Sequence, residues 1–333
     1  MRLLLLGGTE FVGRAVAEAA LAQGWDVTVF HRGRHAPGAG VRSLHGDRTA
    51  PDGLTALARG GPWDLVVDTW SAAPRAVRDT ARLLRGRADR YAYVSSCSVY
   101  TWPQPAGYTE EAPVVEGASA DADTTDYARD KRGGELAVLE SFGADRSLLV
   151  RAGLILGPYE NIGRLPWWLG RVARGGPVLA PGPRDLPLQY IDVRDLAQWT
   201  LGAAAEGRSG PYNAVSPPAH TTTGALLEAC ATVTGSDAEL RWTDPDVVLE
   251  AGIAPWTDLP VWVPPGSDLH TTLHGADTSR VAGAGLRCRP VGETVSDTWD
   301  WLCGIGGVAP QRPDRPVVGL DPETETKVLA GRR

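Results

Sequence analysis

The chain has 333 residues, 43% hydrophobic and 22% charged, enough apolar material for one large domain or two smaller ones and against disorder. Its net charge of −7 opposes broad attraction to nucleic acid or an anionic membrane, and no apolar run nears the roughly 20 residues of a bilayer-spanning helix. The opening MRLLLL runs straight into glycines rather than into a secretory core, and Cys97, Cys230, Cys288 and Cys303 lack zinc-site spacing; free thiols, a cytoplasmic location and no metal are the expectations.

The short apolar run at 2–6 reads as a buried parallel strand, and helical spacing follows from about Phe11 to Gln23. Strands are expected at WDVTVF (25–30), SLHGD (43–47), DLVVD (64–68) and RYAYVSS (90–96), with a helix over 72–86. A loop rich in Pro, Gly and acidic residues spans Val99 to about Asp123, then a helix from about Thr124 to Ser141 and a sixth strand at 147–151. Later segments predict helices at Leu165–Ala173 and Leu196–Ala205, a strand at 188–193 and a terminal helix near 322–330. Alternating strands and helices imply an α/β fold: a doubly wound parallel sheet whose strand C-termini form one functional edge.

Gly7-Gly8-Thr9-Glu10-Phe11-Val12-Gly13 stands at the first strand–helix junction. Glycines there let the backbone turn tightly and approach a pyrophosphate at the helix N-terminus. Glu10 occupies a place where the usual pattern has glycine; its carboxylate must swing away or pair with Arg14 to avoid repelling phosphate. The second strand ends in Phe30-His31-Arg32-Gly33-Arg34 without a carboxylate to hold a ribose 2′-hydroxyl. Arg32 and Arg34 suit a 2′-phosphate instead, which favours NADP(H) over NAD(H). Asp47 is either an adenine contact or a turn cap. His31, Arg48, Thr69 and Ile155 complete the expected cofactor contacts.

Tyr127-Ala-Arg-Asp-Lys131 puts a phenol and an ammonium on one helix face. A phenol is a poor proton carrier at neutral pH until a neighbouring cation stabilises its phenolate, and the same ammonium can hold ribose hydroxyls. Of 33 basic residues all but Lys131 and Lys327 are arginines, so a lysine here marks a need for a compact point charge. Ser96, in Ser95-Ser96-Cys97-Ser98-Val99-Tyr100 at the fifth strand's end, can hydrogen-bond a substrate oxygen.

Through the glycine loop, YVSSCSVY, YARDK with Glu135 beyond, RAGLILGP (151–158) and QYIDVRDLA (189–197), most of the chain resembles an extended or atypical short-chain dehydrogenase/reductase of the NAD-dependent epimerase/dehydratase group. The resemblance implies a Rossmann-like domain over 1–155, continued by about 186–215. A smaller, interleaved substrate or lid region covers 156–185 and 216–333. It also implies Ser96, Tyr127 and Lys131 as the catalytic set, with Ser98, Tyr100, Leu154, Trp168 and Gln189 toward the substrate, and a homodimer.

The departures narrow the activity. Leu154 and Leu188 stand where nucleotide-sugar epimerases of this group carry an asparagine and a diphosphate-binding arginine, and Ser96-Cys97-Ser98 replaces the Thr-Asp-Glu of the dehydratases. The expected reaction is hydride transfer between a nicotinamide and a small carbonyl or alcohol substrate, in a pocket to which some of the twelve tryptophans contribute. A nucleotide-sugar epimerase with tightly held NAD is the first alternative. A non-catalytic dinucleotide-sensing or RNA-associated scaffold is the second.

Overall fold

The computed structural model describes residues 1–122, 126–308, 311–313 and 315–331. The chain opens with β1 (Arg2–Leu6), α1 (Phe11–Ala22), β2 (Asp26–His31), β3 (Arg42–His45), α2 (Thr55–Arg59), β4 (Trp63–Asp68), α3 (Arg75–Leu84), β5 (Ala88–Ser96), α4 (Tyr127–Phe142) and β6 (Ser147–Ala152). Then follow β7 (Ile155–Leu156), α5 (Arg164–Ala173), β8 (Pro177–Pro181), β9 (Pro187–Leu188), β10 (Ile191–Asp192), α6 (Val193–Ala205) and β11 (Gly210–Ala214). The remainder comprises β12 (Thr221–Thr222), α7 (Thr223–Thr234), β13 (Glu239–Thr243), α8 (Pro245–Glu250), α9 (Asp268–His274), α10 (Ser279–Gly283), α11 (Val291–Gly304) and α12 (Pro322–Ala330).

Internal contacts divide the chain into two units. The first comprises Met1–Gly153, Val193–Val215 and Asp277–Arg287; the second comprises Leu154–Asp192, Ser216–Ala276 and Cys288–Arg333. The segment 277–287, expected in the smaller region, thus returns to the first unit, where α10 packs beside β11 and the Asp277 N–H donates to the Tyr108 carbonyl at 2.9 Å.

In the first unit seven parallel strands run in the order β11-β6-β5-β4-β1-β2-β3. All their carboxyl ends therefore lie along one edge, at Leu6, His31, Asp68, Ser96 and Ala152 among others. Leu3 to Leu6 are 0–1% exposed, as a strand covered on both faces requires. Helices α1 and α6 pack together, as do α3 and α4. Leu4, Phe30, Val66, Tyr91 and Leu149 belong to one core cluster; burying each such side chain contributes about 1.5–3 kcal/mol. The sequence reading missed two elements here, the short helix α2 and the seventh strand β11.

In the second unit β8 and β13 form a parallel pair, and α5, α7 and α11 pack on one another. The strand expected over 188–193 is two fragments, β9 and β10. The intervening Gln189 and Tyr190 N–H groups donate to His274 Nδ1 at 3.0 Å and Ser216 Oγ at 3.2 Å, which replaces a continuous ladder. Trp168 and Trp262 are each 1% exposed and donate their indole N–H to the carbonyls of Pro260 (2.6 Å) and Gly182 (3.1 Å). They are core pillars of this unit. Among the described residues no helix is long and apolar enough to cross a membrane, and the four cysteines form no disulfide.

Candidate active site

The glycine loop joins β1 to α1 with little room. Gly7 has φ +92°, and a Cβ there would lie 2.7 Å from Thr69 Oγ1. That hydroxyl donates to the carbonyls of Leu6 and Gly7 at 3.1 and 3.2 Å, so Thr69 at the end of β4 braces the loop. At Gly13 a Cβ would sit 1.9 Å from the Gly7 carbonyl oxygen, which backbone cannot accommodate. Phe11 begins α1 at φ +29° with its ring buried, a strained start of the kind that clusters at binding sites. Thr9 is half-buried in the bend and Val12 half-buried on the helix.

Glu10 holds the N-cap position of α1 in extended conformation, φ −135° and ψ 153°, yet makes no capping hydrogen bond. Its Oε1 lies 2.9 Å from His35 Nε2, while Arg14 bonds Glu18 at 2.9 Å. No acidic residue occupies the first helical turn. The first-turn amides and the positive helix end thus suit the phosphates of a dinucleotide.

Past β2, Arg32 and Arg34 are exposed on the turn. Three neighbouring candidates have structural duties. His31 accepts from the Gly33 N–H at 3.2 Å and shares a hydrogen bond with Ser43 at 3.2 Å; burial, aided by His45, lowers its imidazole pKa. Asp47 takes the turn-cap role: Oδ1 accepts from the N–H and hydroxyl of Thr49 at 2.9 and 2.7 Å, which holds the carboxyl below its usual range. Arg48 is committed inward rather than toward a phosphate. It grips Asp68 through two bonds of 2.7 Å and also donates to Thr80 and the Ala76 carbonyl.

Asp68 is fully buried and additionally accepts from the Tyr91 hydroxyl at 2.6 Å. Burial alone would raise its carboxyl pKa, but Arg48 and the Tyr91 hydrogen bond outweigh that and hold it below the ordinary value. A group depressed in the folded state contributes stability above its unfolded pKa of about 4 and loses it as pH falls through the folded value. The wild-type urea midpoint is therefore expected to fall more steeply from about pH 5 to about pH 3 than that of Asp68→Asn. Equal slopes would remove Asp68 as the source.

Tyr127 is the first residue of α4, which starts there because Asp126 caps it, accepting from the Arg129 N–H at 2.8 Å. The expected start near Thr124, like the loop's end at Asp123, lies outside the described residues. One turn on, Lys131 is 3% exposed, and its Nζ donates to the carbonyls of Trp70 and Val94, each at 2.6 Å. The same Nζ stands 5.9 Å from the Tyr127 ring centroid and 4.9 Å from that of Tyr93. The lysine thus ties the ends of β4 and β5 to α4 and sets its charge beneath a phenol that is 37% exposed. Ser96 lies two residues beyond Val94, so it emerges on the same strand face. Its Oγ accepts from the Ser98 N–H and meets Ser98 Oγ, both at 3.1 Å.

Tyr100, expected toward the substrate, is turned into the interior. It is fully buried, donates to Asn213 Oδ1 at 2.5 Å and accepts from Arg151 at 3.0 Å. It belongs to a polar network that sequence reading did not foresee, centred on Glu135 and Arg151. Arg151 meets Glu135 at 2.9 and 3.1 Å, and Ser95 donates to Glu135 at 2.8 Å. Cys97 donates to the Arg151 carbonyl at 3.2 Å. Both neighbours of Ser96 are thereby anchored. The signal was present: Glu135 lies four residues beyond Lys131, on the same helical face.

The other candidates fall in the second unit. Leu154 is 7% exposed, and Ile155 pairs with Ile191. Gln189, fully buried, spends its amide on backbone, donating to the carbonyls of Ser216 and Ala276 and accepting from the Ala276 N–H. It is a strut within that unit, as Trp168 is a core residue.

The description "NAD dependent epimerase/dehydratase family" matches residues 3–215. Among curated proteins, a 2′-dehydrokanamycin reductase of Streptomyces kanamyceticus is 33% identical over 190 residues, covering 54% of this chain and 51% of that one. The chloroplast stem-loop binding protein of 41 kDa b of Arabidopsis thaliana is 25% identical over 250 residues, covering 70% and 63%. The chain thus spans about half of the first relative and less than two thirds of the second. Among solved structures, Bordetella bronchiseptica WbmH in complex with NAD+ superposes with TM-score 0.67 at 17% identity, covering 92% of this chain and 99% of that one. The UDP-glucose 4-epimerase of Thermus thermophilus with NAD gives 0.62 at 21%, covering 91% and 99%. At these identities the two structures are alike in fold.

Proposed function

We propose, from the premise that this chain belongs to the NAD-dependent epimerase/dehydratase family, that it is a nicotinamide-dependent reductase or dehydrogenase acting on a small carbonyl or alcohol. The observation that carries this reading is Lys131 Nζ held by two carbonyls beneath the exposed phenol of Tyr127. The uncapped N-terminus of α1 and the steric closeness of Gly7 and Gly13 fit a dinucleotide. A nicotinamide dinucleotide held there would supply the hydride chemistry. Ser96 holds the substrate oxygen and Tyr127 moves its proton. Lys131 stabilises the phenolate and is the residue that would hold the ribose hydroxyls. Leu154 and Leu188, both buried and apolar, offer no polar anchor for a sugar diphosphate, which sets the reductase ahead of the epimerase reading. The reductase named above supports it at the level of similarity.

The same reading includes NADP(H) preference through Arg32 and Arg34, a homodimer and a cytoplasmic setting in which the thiols stay reduced. Fluorescence titration with NADPH and NADH, followed by a carbonyl panel with the preferred nucleotide, tests it. Failure of both nucleotides to bind at millimolar concentration sinks the reading. Removing both guanidiniums in Arg32→Ala/Arg34→Ala is expected to weaken NADPH about 10- to 100-fold and NADH less than about three-fold, because charge-assisted bonds contribute about 1.5–3 kcal/mol. Equal losses for the two nucleotides would move 2′-phosphate selection elsewhere.

A further inference from the structure

We infer that His35 draws the Glu10 carboxylate away from the phosphate-binding end of α1, so that this pair sets dinucleotide affinity. The inference rests on the dinucleotide reading above and concerns residues that reading leaves unexplained. A short acceptor at a helix N-cap (Ser, Thr, Asp or Asn) ordinarily folds back onto the second or third helical N–H, a role the longer glutamate does not favour. Glu10 stands at that position with the extended backbone a cap adopts, yet makes no such bond. Its Oε1 instead lies 2.9 Å from His35 Nε2, an ion pair when the imidazole is protonated. His35 follows the turn bearing Arg32 and Arg34, where Gly33 at φ +78° bends the chain.

The pairing has two effects. It leaves the first-turn amides of α1 open to an anionic ligand, and it gives the carboxylate a donor to face instead of a phosphate. Without His35 the carboxylate loses one of the contacts that hold it aside and is freer to fold toward those amides or to meet the incoming pyrophosphate as a like charge. Both outcomes oppose binding. The side chains are 60% and 45% exposed, so the effect is moderate and screened by salt. Like charges at contact range in water correspond to a factor of about five.

The test is a double-mutant cycle on the full chain, reading NADPH and NADH dissociation constants by fluorescence at low salt. His35→Ala is expected to weaken both nucleotides about five-fold, and His35→Gln, which keeps an N–H donor, to recover most of the loss. Glu10→Gln alone is expected to bind as tightly as wild type or tighter, and His35→Ala is expected to cost nothing in that background. Equal loss with and without Glu10 overturns the inference. So does loss confined to NADPH, which would place His35 on the 2′-phosphate. Absence of nucleotide binding by wild type takes down the dinucleotide reading and this inference together; binding by wild type without coupling removes the inference alone. Thermal melts of the four proteins separate misfolding from weakened binding.

Discussion

Tyr127→Phe is expected to lower turnover about 10³-fold while leaving the NADPH dissociation constant within about two-fold of wild type. The substitution removes one oxygen and keeps the ring over Lys131 Nζ, 5.9 Å from its centroid. Helix α4 still starts in place, because its cap is Asp126 and the capped N–H is that of Arg129. Lys131 keeps its two carbonyls. In the proposed mechanism, what disappears is the proton that passes to the substrate oxygen as hydride arrives at carbon. Stopped-flow turnover with equilibrium nucleotide binding separates the two quantities. Undiminished turnover would take the proton-transfer role away from this phenol.

Arg151→Met is expected to destabilise the protein by about 3 kcal/mol, a fall in melting temperature of roughly 6–12 °C. Arg151 is 4% exposed; burial works against its charge and Glu135 outweighs that, so its pKa stays raised. Removing it strands a fully buried Glu135, with Arg132 at 2.8 Å as the remaining cation. The hydroxyl of Tyr100 and the carbonyl of Glu110 lose a donor as well. Replacing both members, Glu135→Leu with Arg151→Met, is expected to recover more than half of the loss, because an apolar pair carries no desolvation cost. Thermal melts of the two single variants and the double variant measure this. Additive losses would show that the charges do not act as a pair.

The strands of the sheet were readable because a parallel strand covered on both faces needs an apolar centre, as Leu3–Leu6 and Leu65–Val67 provide. The Tyr127–Lys131 relation was readable because it lies within one helix turn and depends on no tertiary contact. By contrast β11 (GPYNA) carries glycine, proline and asparagine, residues that ordinarily mark turns, and only pairing with β6 makes it a strand. The same limit explains Arg48, Tyr100 and Gln189. A polar residue near a strand's end looks alike whether it faces a ligand or a buried partner distant in sequence, and those partners are Asp68, Arg151 and the backbone of Ala276. Glu10 was legible as an anomaly; its partner His35 was not, because the turn that returns the chain sets the distance.

The clasp at Lys131 bears on how this sequence can drift. Arginine occupies nearly every other basic position, and lysine is otherwise present only at 327. A tetrahedral ammonium can aim separate hydrogens at two carbonyl oxygens 2.6 Å away, whereas a flat guanidinium needs a wider slot and projects in one plane. The gap between the two strand ends therefore acts as a filter against the replacement that the rest of the chain's composition favours. This buried position is closed to a substitution that on the surface would pass unnoticed.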